Sequence, residues 1–285
     1  MPNSDIFVTT DWLQRHLGSP GLAILDGSWH LPGSGRFARA EHLAAHIPGA
    51  AFFDIDEIAD ASAGLPHMLP EPVAFSSAMR KLGIGDGMRV VVYDSLGLFS
   101  APRVRWTLKA FGVADVKLLE GGLPAWLAEG RPVEDGPVAR QPRHFTARLD
   151  HGAVAGLAEV RGALESGAAQ VVDARAAARF EGAMPEPRPG LRAGHMPGAR
   201  NLPFGEVVRD GRLADAGAIE AAFAMAGVDT GKPVIATCGS GITAAILALA
   251  LEATGRRAAL YDGAWAQWGA RQDLPLATGP ALPAK

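Results

Sequence analysis

Residues 233–244, PVIATCGSGITA, and residues 89–101, RVVVYDSLGLFSA, share one pattern. In each stretch an apolar, β-branched run ends at a single reactive or acidic residue, Cys238 or Asp94, and a glycine-containing turn leads into a helical pattern. Near-continuous apolar runs are typical of strands that are covered on both faces, as in a parallel sheet. The two stretches therefore indicate two copies of one strand–turn–helix arrangement.

Three further pairs of segments repeat in the same order, and the members of each pair are separated by nearly the same number of residues. They are LAILDGSW (22–29) and QVVDARAA (170–177), AAHIPGAAFF (44–53) and AGHMPGARNLPF (193–204), and LLEGGLPAW (118–126) and LYDGAWAQW (260–268). A steady separation of matched segments indicates an internal repeat, and two copies are too few for a solenoid. The alternation of strand and helix patterns predicts an α/β fold with two tandem domains, each a mainly parallel sheet flanked by helices. We predict a first domain at 1–138, a linker at 139–153 and a second domain at 154–285.

The composition argues against several classes of function. The 285 residues carry a net charge of −3, and no block of like charge supplies the electrostatic footprint of a nucleic-acid-binding or membrane-surface protein. A single cysteine excludes an intramolecular disulfide and a Cys-rich zinc site. No apolar stretch reaches the roughly 20 residues that cross a bilayer, and the N-terminus lacks a basic region followed by an apolar one. We therefore expect a cytoplasmic protein without nucleic-acid or membrane partners.

The most informative difference between the copies is Cys238 against Asp94. Both follow a predicted buried strand and precede a helix, and in a parallel sheet this carboxyl edge is where ligands bind. The turn after Cys238 contains Gly239 and Gly241, which let the backbone curl so that successive N–H groups point toward the sulfur. Such a nest stabilises a thiolate, the reactive form of a nucleophilic cysteine.

Other interpretations of these residues are weaker. Cysteine-dependent phosphatases use a C-x5-R loop, and Ala244 stands where the arginine is needed. A Cys–His protease, a buried unreactive cysteine and a persulfide or redox sensor that does not turn over stay open as alternatives. His46 and His195 each precede an x-Pro-Gly-Ala turn and are expected to support it. The spacing from His42 to His46 is compatible with a metal, but the second copy has no such pair, and we expect no metal site.

Several motifs together resemble the catalytic half of the two-domain rhodanese-type sulfurtransferases: CGSGITA (238–244), HMPGA (195–199), GRLADAG (211–217) and YDGAWAQW (261–268). The resemblance covers essentially the whole chain, and it implies a catalytically inactive first rhodanese-like domain and a catalytic second one. The loop form C-G-S-G-[VI]-T is similar to that of the mercaptopyruvate-using members. Thiosulfate-using members carry a basic C-R-K-G-V-T loop, whose cations suit a dianionic donor.

The resemblance also implies roles for individual residues. Arg179 and Arg188 are expected to bind the carboxylate of the donor, because a guanidinium fork can hold both carboxylate oxygens. Cys238 is expected to carry the transferred sulfur as a persulfide, with Asp56 and His67 completing a proton relay; Asp54 is an equally acidic neighbour, so the choice of Asp56 rests on alignment alone. The remaining expected site residues all lie in the loop after the cysteine: Gly239, Ser240 (the relay hydroxyl), Gly241, Ile242 and Thr243.

The reaction that the resemblance implies is sulfur transfer from 3-mercaptopyruvate, with release of pyruvate, to a thiol acceptor such as reduced thioredoxin, or to cyanide in a test tube. A double displacement of this kind needs no metal or organic cofactor. The runner-up hypothesis is a thiosulfate:cyanide sulfurtransferase on the same fold.

Overall fold

The computed structural model describes residues 5–281, and these residues divide into two compact units. The first unit comprises the described residues up to Asp60, Leu69–Asp150 and Asp210–Arg212; the second comprises Ala61–Met68, His151–Arg209 and the described residues from Leu213 onward. The short segment Ala61–Met68 thus belongs by its contacts to the second unit, although it precedes most of the first in the chain. The domain boundaries expected from the sequence stay predictions.

The first unit contains five strands and six helices. In chain order they are β1 (Phe7–Val8), α1 (Thr10–His16), β2 (Leu22–Asp26), α2 (Ala38–Ala44), β3 (Ala50–Phe52), α3 (Ile55–Ile58), α4 (Pro72–Lys81), β4 (Arg89–Tyr93), α5 (Ala101–Ala110), β5 (Val116–Leu119) and α6 (Gly122–Ala128). The strands form a parallel sheet in the order β1-β5-β4-β2-β3. The continuous apolar runs of β2 (residues 22–25) and β4 (residues 90–93) are buried at every position, as the sequence predicts.

The second unit contains seven strands and five helices. They are β6 (Val154–Ala155), α7 (Leu157–Ser166), β7 (Gln170–Asp173), α8 (Ala177–Phe180), β8 (Arg200–Asn201), β9 (Val208–Arg209), β10 (Arg212–Leu213), α9 (Ala216–Met225), β11 (Val234–Thr237), α10 (Ala244–Ala253), β12 (Ala258–Tyr261) and α11 (Ala264–Trp268). Single 3-10 turns span Ala61–Ala63, His151–Ala153 and Phe204–Glu206. Strand β10 straddles the division between the units at Arg212.

The main sheet of the second unit repeats the topology of the first. Its order is β6-β12-β11-β7-β8, and all four pairings are parallel. Helices α5 and α10 follow the equivalent central strands β4 and β11, and each is closed by a glycine of positive φ, Gly112 (93°) or Gly255 (77°). The prediction of two α/β domains with parallel sheets is confirmed.

Each unit has its own apolar core. In the first unit Val91, Tyr93 and Trp126 belong to one buried cluster. In the second, Phe180 and Trp265 pack with residues of β7 and β11. Helix α10 is buried over most of its surface, which suits its continuous apolar sequence AAILALALEA. Within residues 5–281 no helix has the length and hydropathy that a membrane span requires.

Candidate active site

Cys238 directly follows β11, at the carboxyl edge of the second sheet, and only 2% of its surface is exposed. The backbone turns sharply around the sulfur because Gly241 adopts a φ of 84°, and the Gly241 N–H donates to Cys238 Sγ at 3.1 Å. Behind the loop, the N–H of Trp265 donates to the carbonyl of Cys238 at 2.9 Å, and the N–H of Ala266 donates to that of Gly239 at 2.9 Å. Helix α11 therefore holds the cysteine loop through two backbone hydrogen bonds.

Asp94 occupies the equivalent position of the first unit, directly after β4, and it is also buried. Its carboxylate accepts four backbone N–H groups, with Oδ1 bonded to Leu96 (2.9 Å) and Oδ2 to Phe99 (2.8 Å), Ser100 (2.9 Å) and Ala101 (2.8 Å). Burial raises the pKa of Asp94 above its ordinary value, while these four N–H groups act in the opposite direction. The turn of the first unit is thus a nest for an anion, and a side chain of the protein fills it.

Arg179 lies against the cysteine loop of the second unit. A Cβ atom placed on Gly239 would stand 2.9 Å from Arg179 Nη2, so the absence of a side chain at position 239 makes room for the guanidinium. Arg179 is carried by the short helix α8 and has 20% of its side chain exposed. The structure therefore brings together two residues that the sequence analysis assigned to one site.

Glu186 is a residue of this site that the sequence analysis missed. It sits in the proline-rich loop MPEPRPGL (184–191), yet its side chain is only 1% exposed. Its carboxylate accepts from Arg179 Nη2 (2.5 Å) and Nε (3.2 Å) and from Arg175 Nη1 (2.9 Å). The edge of the Arg179 guanidinium formed by Nε and Nη2 is therefore bound to Glu186. A donor carboxylate that binds two nitrogens of Arg179 must use the edge formed by Nη1 and Nη2. Arg188 is half-buried two residues further along the same loop.

Arg175 anchors this cluster to the core. It donates to both carboxylate oxygens of Asp173 at 2.7 to 3.2 Å and to the Gly194 carbonyl at 2.9 Å, and its guanidinium lies 4.5 Å from the ring centroid of Trp265. Burial disfavours its charge, but the carboxylates of Asp173 and Glu186 outweigh that effect and hold the pKa of Arg175 above its ordinary value. Two cations and two carboxylates thus balance one another beside the cysteine loop.

His67 also reaches the cysteine loop, because its segment belongs to the second unit. Its Nδ1 lies 3.0 Å from the carbonyl oxygen of Ser240, and since a carbonyl can only accept, Nδ1 carries the proton. The residue is buried and adopts a φ of 61°, which is unusual for a residue other than glycine. Backbone strain of this kind is often found at functional sites.

Asp56 and its neighbour Asp54 differ in their surroundings within the first unit. Asp56 Oδ2 accepts from the indole Nε1 of Trp29 at 3.0 Å. Asp54 caps helix α3 by accepting the N–H groups of residues 56 and 57, and it pairs with Arg39 at 2.8 Å. Asp54 is therefore committed to a local structural contact, a distinction that the sequence alone did not provide.

The two histidines expected to support turns make backbone contacts that fit this expectation. His195 pairs with Ala277 as an isolated β-bridge, and its Nδ1 lies 2.9 Å from the carbonyl of Phe180. His46 pairs in the same way with Glu134. Burial lowers the pKa of His195, which favours a neutral imidazole stacked on Phe180 at a centroid distance of 3.8 Å.

Comparison with known proteins places this architecture in a family. The sequence model of the rhodanese-like domain matches residues 9–129 and again residues 157–271. The chain is 46% identical over 272 residues to the 3-mercaptopyruvate sulfurtransferase of Escherichia coli (strain K12), covering 95% of this chain and 97% of that protein. It is 42% identical over 270 residues to the thiosulfate sulfurtransferase of Bos taurus, covering 92% of this chain and 91% of the bovine protein.

Solved structures agree. The crystal structure of SseA from Escherichia coli, a 3-mercaptopyruvate sulfotransferase, superposes with a TM-score of 0.85 at 43% identity, and the alignment covers 91% of this chain and 98% of that one. The Tum1 protein from Saccharomyces cerevisiae gives a TM-score of 0.87 at 30% identity, with coverage of 98% and 99%. Domain matches in both halves and identity over nearly the full length point the same way: the chain belongs to the rhodanese family of two-domain sulfurtransferases.

Proposed function

We propose that this protein transfers the sulfur of 3-mercaptopyruvate to a thiol acceptor through a persulfide on Cys238. The observation that carries the proposal is the position of Cys238, buried in a loop without cations of its own and beside the guanidinium of Arg179. A loop whose residues after Cys238 carry no positive charge suits a donor with a single carboxylate better than the dianion thiosulfate. Identity alone does not select the donor, because relatives named for mercaptopyruvate and for thiosulfate match at 46% and 42%.

Donor binding is assigned to Arg179 and Arg188, with backbone N–H groups of Gly239, Gly241 and the residues up to Thr243 lining the sulfur. The free edge of Arg179 binds the donor carboxylate while its other edge stays on Glu186. This arrangement orients the donor so that its sulfur meets Cys238.

Sulfur transfer then follows in one displacement. The Cys238 thiolate attacks the donor sulfur, and a new S–S bond forms as the carbon–sulfur bond breaks. The electron pair of that bond leaves with carbon as the enolate of pyruvate. The proton of the donor thiol ends on this carbon, so that the products are pyruvate and an enzyme persulfide anion.

The first unit suggests how the persulfide is held. In Asp94 each Oδ is three bonds from Cα, as is the outer sulfur of a cysteine persulfide, and the Asp94 carboxylate accepts four backbone N–H groups. Residues Thr243 and Ser100 are the equivalent N-cap positions of α10 and α5. By this analogy the N–H groups around Ile242 and Thr243 stabilise the outer sulfur.

Proton movement is assigned to Ser240, His67 and Asp56. The Nδ1–H of His67 is committed to the Ser240 carbonyl, so a neutral imidazole presents Nε2 as the proton acceptor. This step converts the thiol proton of the donor into the methyl proton of pyruvate. We include Asp56 in the relay because the family resemblance implies it.

The second displacement returns the enzyme to its starting state. An acceptor thiolate, such as that of reduced thioredoxin, attacks the outer sulfur and leaves as a persulfide, and Cys238 becomes a thiolate again. A free catalytic thiol needs a reducing compartment, and we therefore place the protein in the cytoplasm.

The test is a comparison of kcat/KM for mercaptopyruvate and for thiosulfate with one shared acceptor. We expect mercaptopyruvate to be the better donor by at least one order of magnitude. Equal efficiency would favour the thiosulfate alternative, and absence of turnover with either donor would favour a persulfide sensor.

A further inference from the structure

We propose that Glu186 is a positioning residue that holds Arg179 against the cysteine loop in the orientation that binds the donor. The inference rests on the proposed function and extends it to a residue that contacts neither the cysteine nor the donor. Three observations carry it: the burial of Glu186, its hydrogen bonds to two arginines, and the contact of one of them with Gly239.

Glu186 connects an arginine that is held firmly in the core, Arg175, to one that is partly exposed, Arg179. Arg175 is fixed by Asp173, by the Gly194 carbonyl and by the face of Trp265, and only 1% of its side chain is exposed. Arg179 is 20% exposed. Its guanidinium would be free to turn toward solvent without Glu186, since a long side chain gains rotamer freedom when it is released. Glu186 transmits the fixed position of Arg175 to Arg179.

The hydrogen-bond pattern also defines the direction in which Arg179 can bind. Glu186 takes the Nε edge of the guanidinium, with Nε at 3.2 Å and Nη2 at 2.5 Å. The edge formed by Nη1 and Nη2 is left for a ligand. This edge faces the cysteine loop, since a Cβ on residue 239 would stand 2.9 Å from Nη2. A carboxylate that engaged Arg179 from the Nε side would have to displace Glu186 from two cations. The donor is thus restricted to one angle of approach.

A buried carboxylate between two arginines could instead act only as a structural tie for the proline-rich loop. The two roles differ in one respect: a tie acts through Arg175 and the loop, whereas a positioning residue acts through Arg179. If Glu186 acts only by positioning Arg179, replacing Glu186 should have no further effect on donor binding once Arg179 has been removed, and a double-mutant cycle measures this.

The experiment therefore compares Glu186→Gln, Arg179→Ala and the double variant, with Glu181→Gln as the matched control. Glu181 lies at the end of the same helix α8, so the control removes an equal charge from the same segment. We expect Glu186→Gln to raise KM for mercaptopyruvate roughly 10-fold, the weaker end of a charge-assisted contact, with kcat changed less than about threefold. The double variant should match Arg179→Ala alone, and the control should match the wild type.

A second measurement does not depend on turnover. Phenylglyoxal modifies guanidinium groups, and peptide mass spectrometry reports the rate at Arg179 itself. We expect Glu186→Gln to raise that rate several-fold over the wild type and over Glu181→Gln. Glu186→Asp, which keeps the charge but shortens the reach, should give an intermediate KM and provides a second variant if the glutamine variant folds poorly.

The outcomes separate this inference from the proposed function. If the wild type does not use mercaptopyruvate, the proposed function is wrong, and the modification rate still tests the placement of Arg179. If the wild type is active but the loss from Glu186→Gln persists in the Arg179→Ala background, or if the modification rate at Arg179 does not change, the positioning role is wrong.

Discussion

The imidazole Nδ1 of His67 donates to the carbonyl oxygen of Ser240 at 3.0 Å. These residues are far apart in the sequence, yet both belong to the second unit, because Ala61–Met68 makes its contacts there. The hydrogen bond fixes one tautomer of a buried imidazole beside the cysteine loop. This tautomer is the one required for a base that acts through Nε2.

Replacing His67 with asparagine tests the relay. Asparagine tolerates the positive φ of 61° better than most residues, so the fold should be retained. Since general acid–base groups contribute 10²- to 10⁴-fold, we expect kcat with mercaptopyruvate to fall about 100-fold while Tm changes little. A kcat within a factor of three of the wild type would remove His67 from the relay.

Arg179→Ala and Arg188→Ala test the carboxylate site. Each charge-assisted contact is worth roughly 1.5–3 kcal/mol, so either change should lower kcat/KM for mercaptopyruvate by roughly 10- to 150-fold, mostly through KM. Lysine should rescue only in part, because an ammonium cannot reproduce the planar guanidinium. Near wild-type kinetics in both alanine variants would show that the donor carboxylate binds elsewhere.

Gly239 offers an independent test of the same contact. The Cβ of any side chain at position 239 would stand about 2.9 Å from Arg179 Nη2 and push the guanidinium aside. We therefore expect Gly239→Ala to raise KM for mercaptopyruvate, and the effect to vanish in an Arg179→Ala background. A KM unchanged by the alanine would contradict the assigned contact.

A basic loop should change the donor preference. Replacing Gly239 and Ser240 with Arg and Lys puts two cations beside Cys238, and the ratio of kcat/KM for thiosulfate to that for mercaptopyruvate should rise. The matched control is the same pair replaced with Gln and Gln, which adds bulk without charge. An equal ratio in both double variants would mean that charge at these positions does not select the donor.

Asp94→Asn tests the filled nest of the first unit. Asn replaces one carboxylate oxygen with an NH2 group, which cannot accept a hydrogen bond, so at least one of the four buried N–H groups loses its acceptor. We therefore expect the free energy of unfolding to fall by about 2 kcal/mol with kcat unchanged. Because burial raises the folded-state pKa of Asp94, its protonated form is the one favoured by folding. We therefore expect the free energy of unfolding of the wild type, compared with that of the Asp94→Asn variant, to decrease as the pH rises. The decrease should begin near 3.8, the ordinary pKa of an aspartate, and continue through the raised pKa of Asp94 in the folded protein. Denaturant unfolding of both proteins across this range measures it, and a relative stability that increases with pH would contradict the direction.

The sequence predicted the features that depend on local pattern and repetition. Apolar runs such as those ending at Tyr93 and Thr237 became buried parallel strands, because a chain that is apolar at every position must be covered on both faces. The glycines after α5 and α10 have the positive φ expected of helix ends. The position of Cys238 at a strand end follows from the same pattern.

What the sequence could not predict depends on long-range contacts. Glu186 stands between prolines in a stretch that is typical of an exposed loop, and only the approach of Arg175 and Arg179 explains its burial. Two carboxylates, Glu181 and Glu186, stand between Arg179 and Arg188 in the chain, and nothing in the local pattern distinguishes the buried one from the other. The association of His67 with Ser240 was equally hidden, since no local pattern reveals which unit a connecting segment joins.

The most direct test of the account is mass spectrometry of the intact protein after treatment with mercaptopyruvate in the absence of acceptor. The wild type should gain one sulfur atom, located on the Cys238 peptide, and release one equivalent of pyruvate; Cys238→Ser should gain none. Stoichiometric pyruvate release by the serine variant, or an active wild type in which no sulfur is found on Cys238, would contradict the persulfide mechanism.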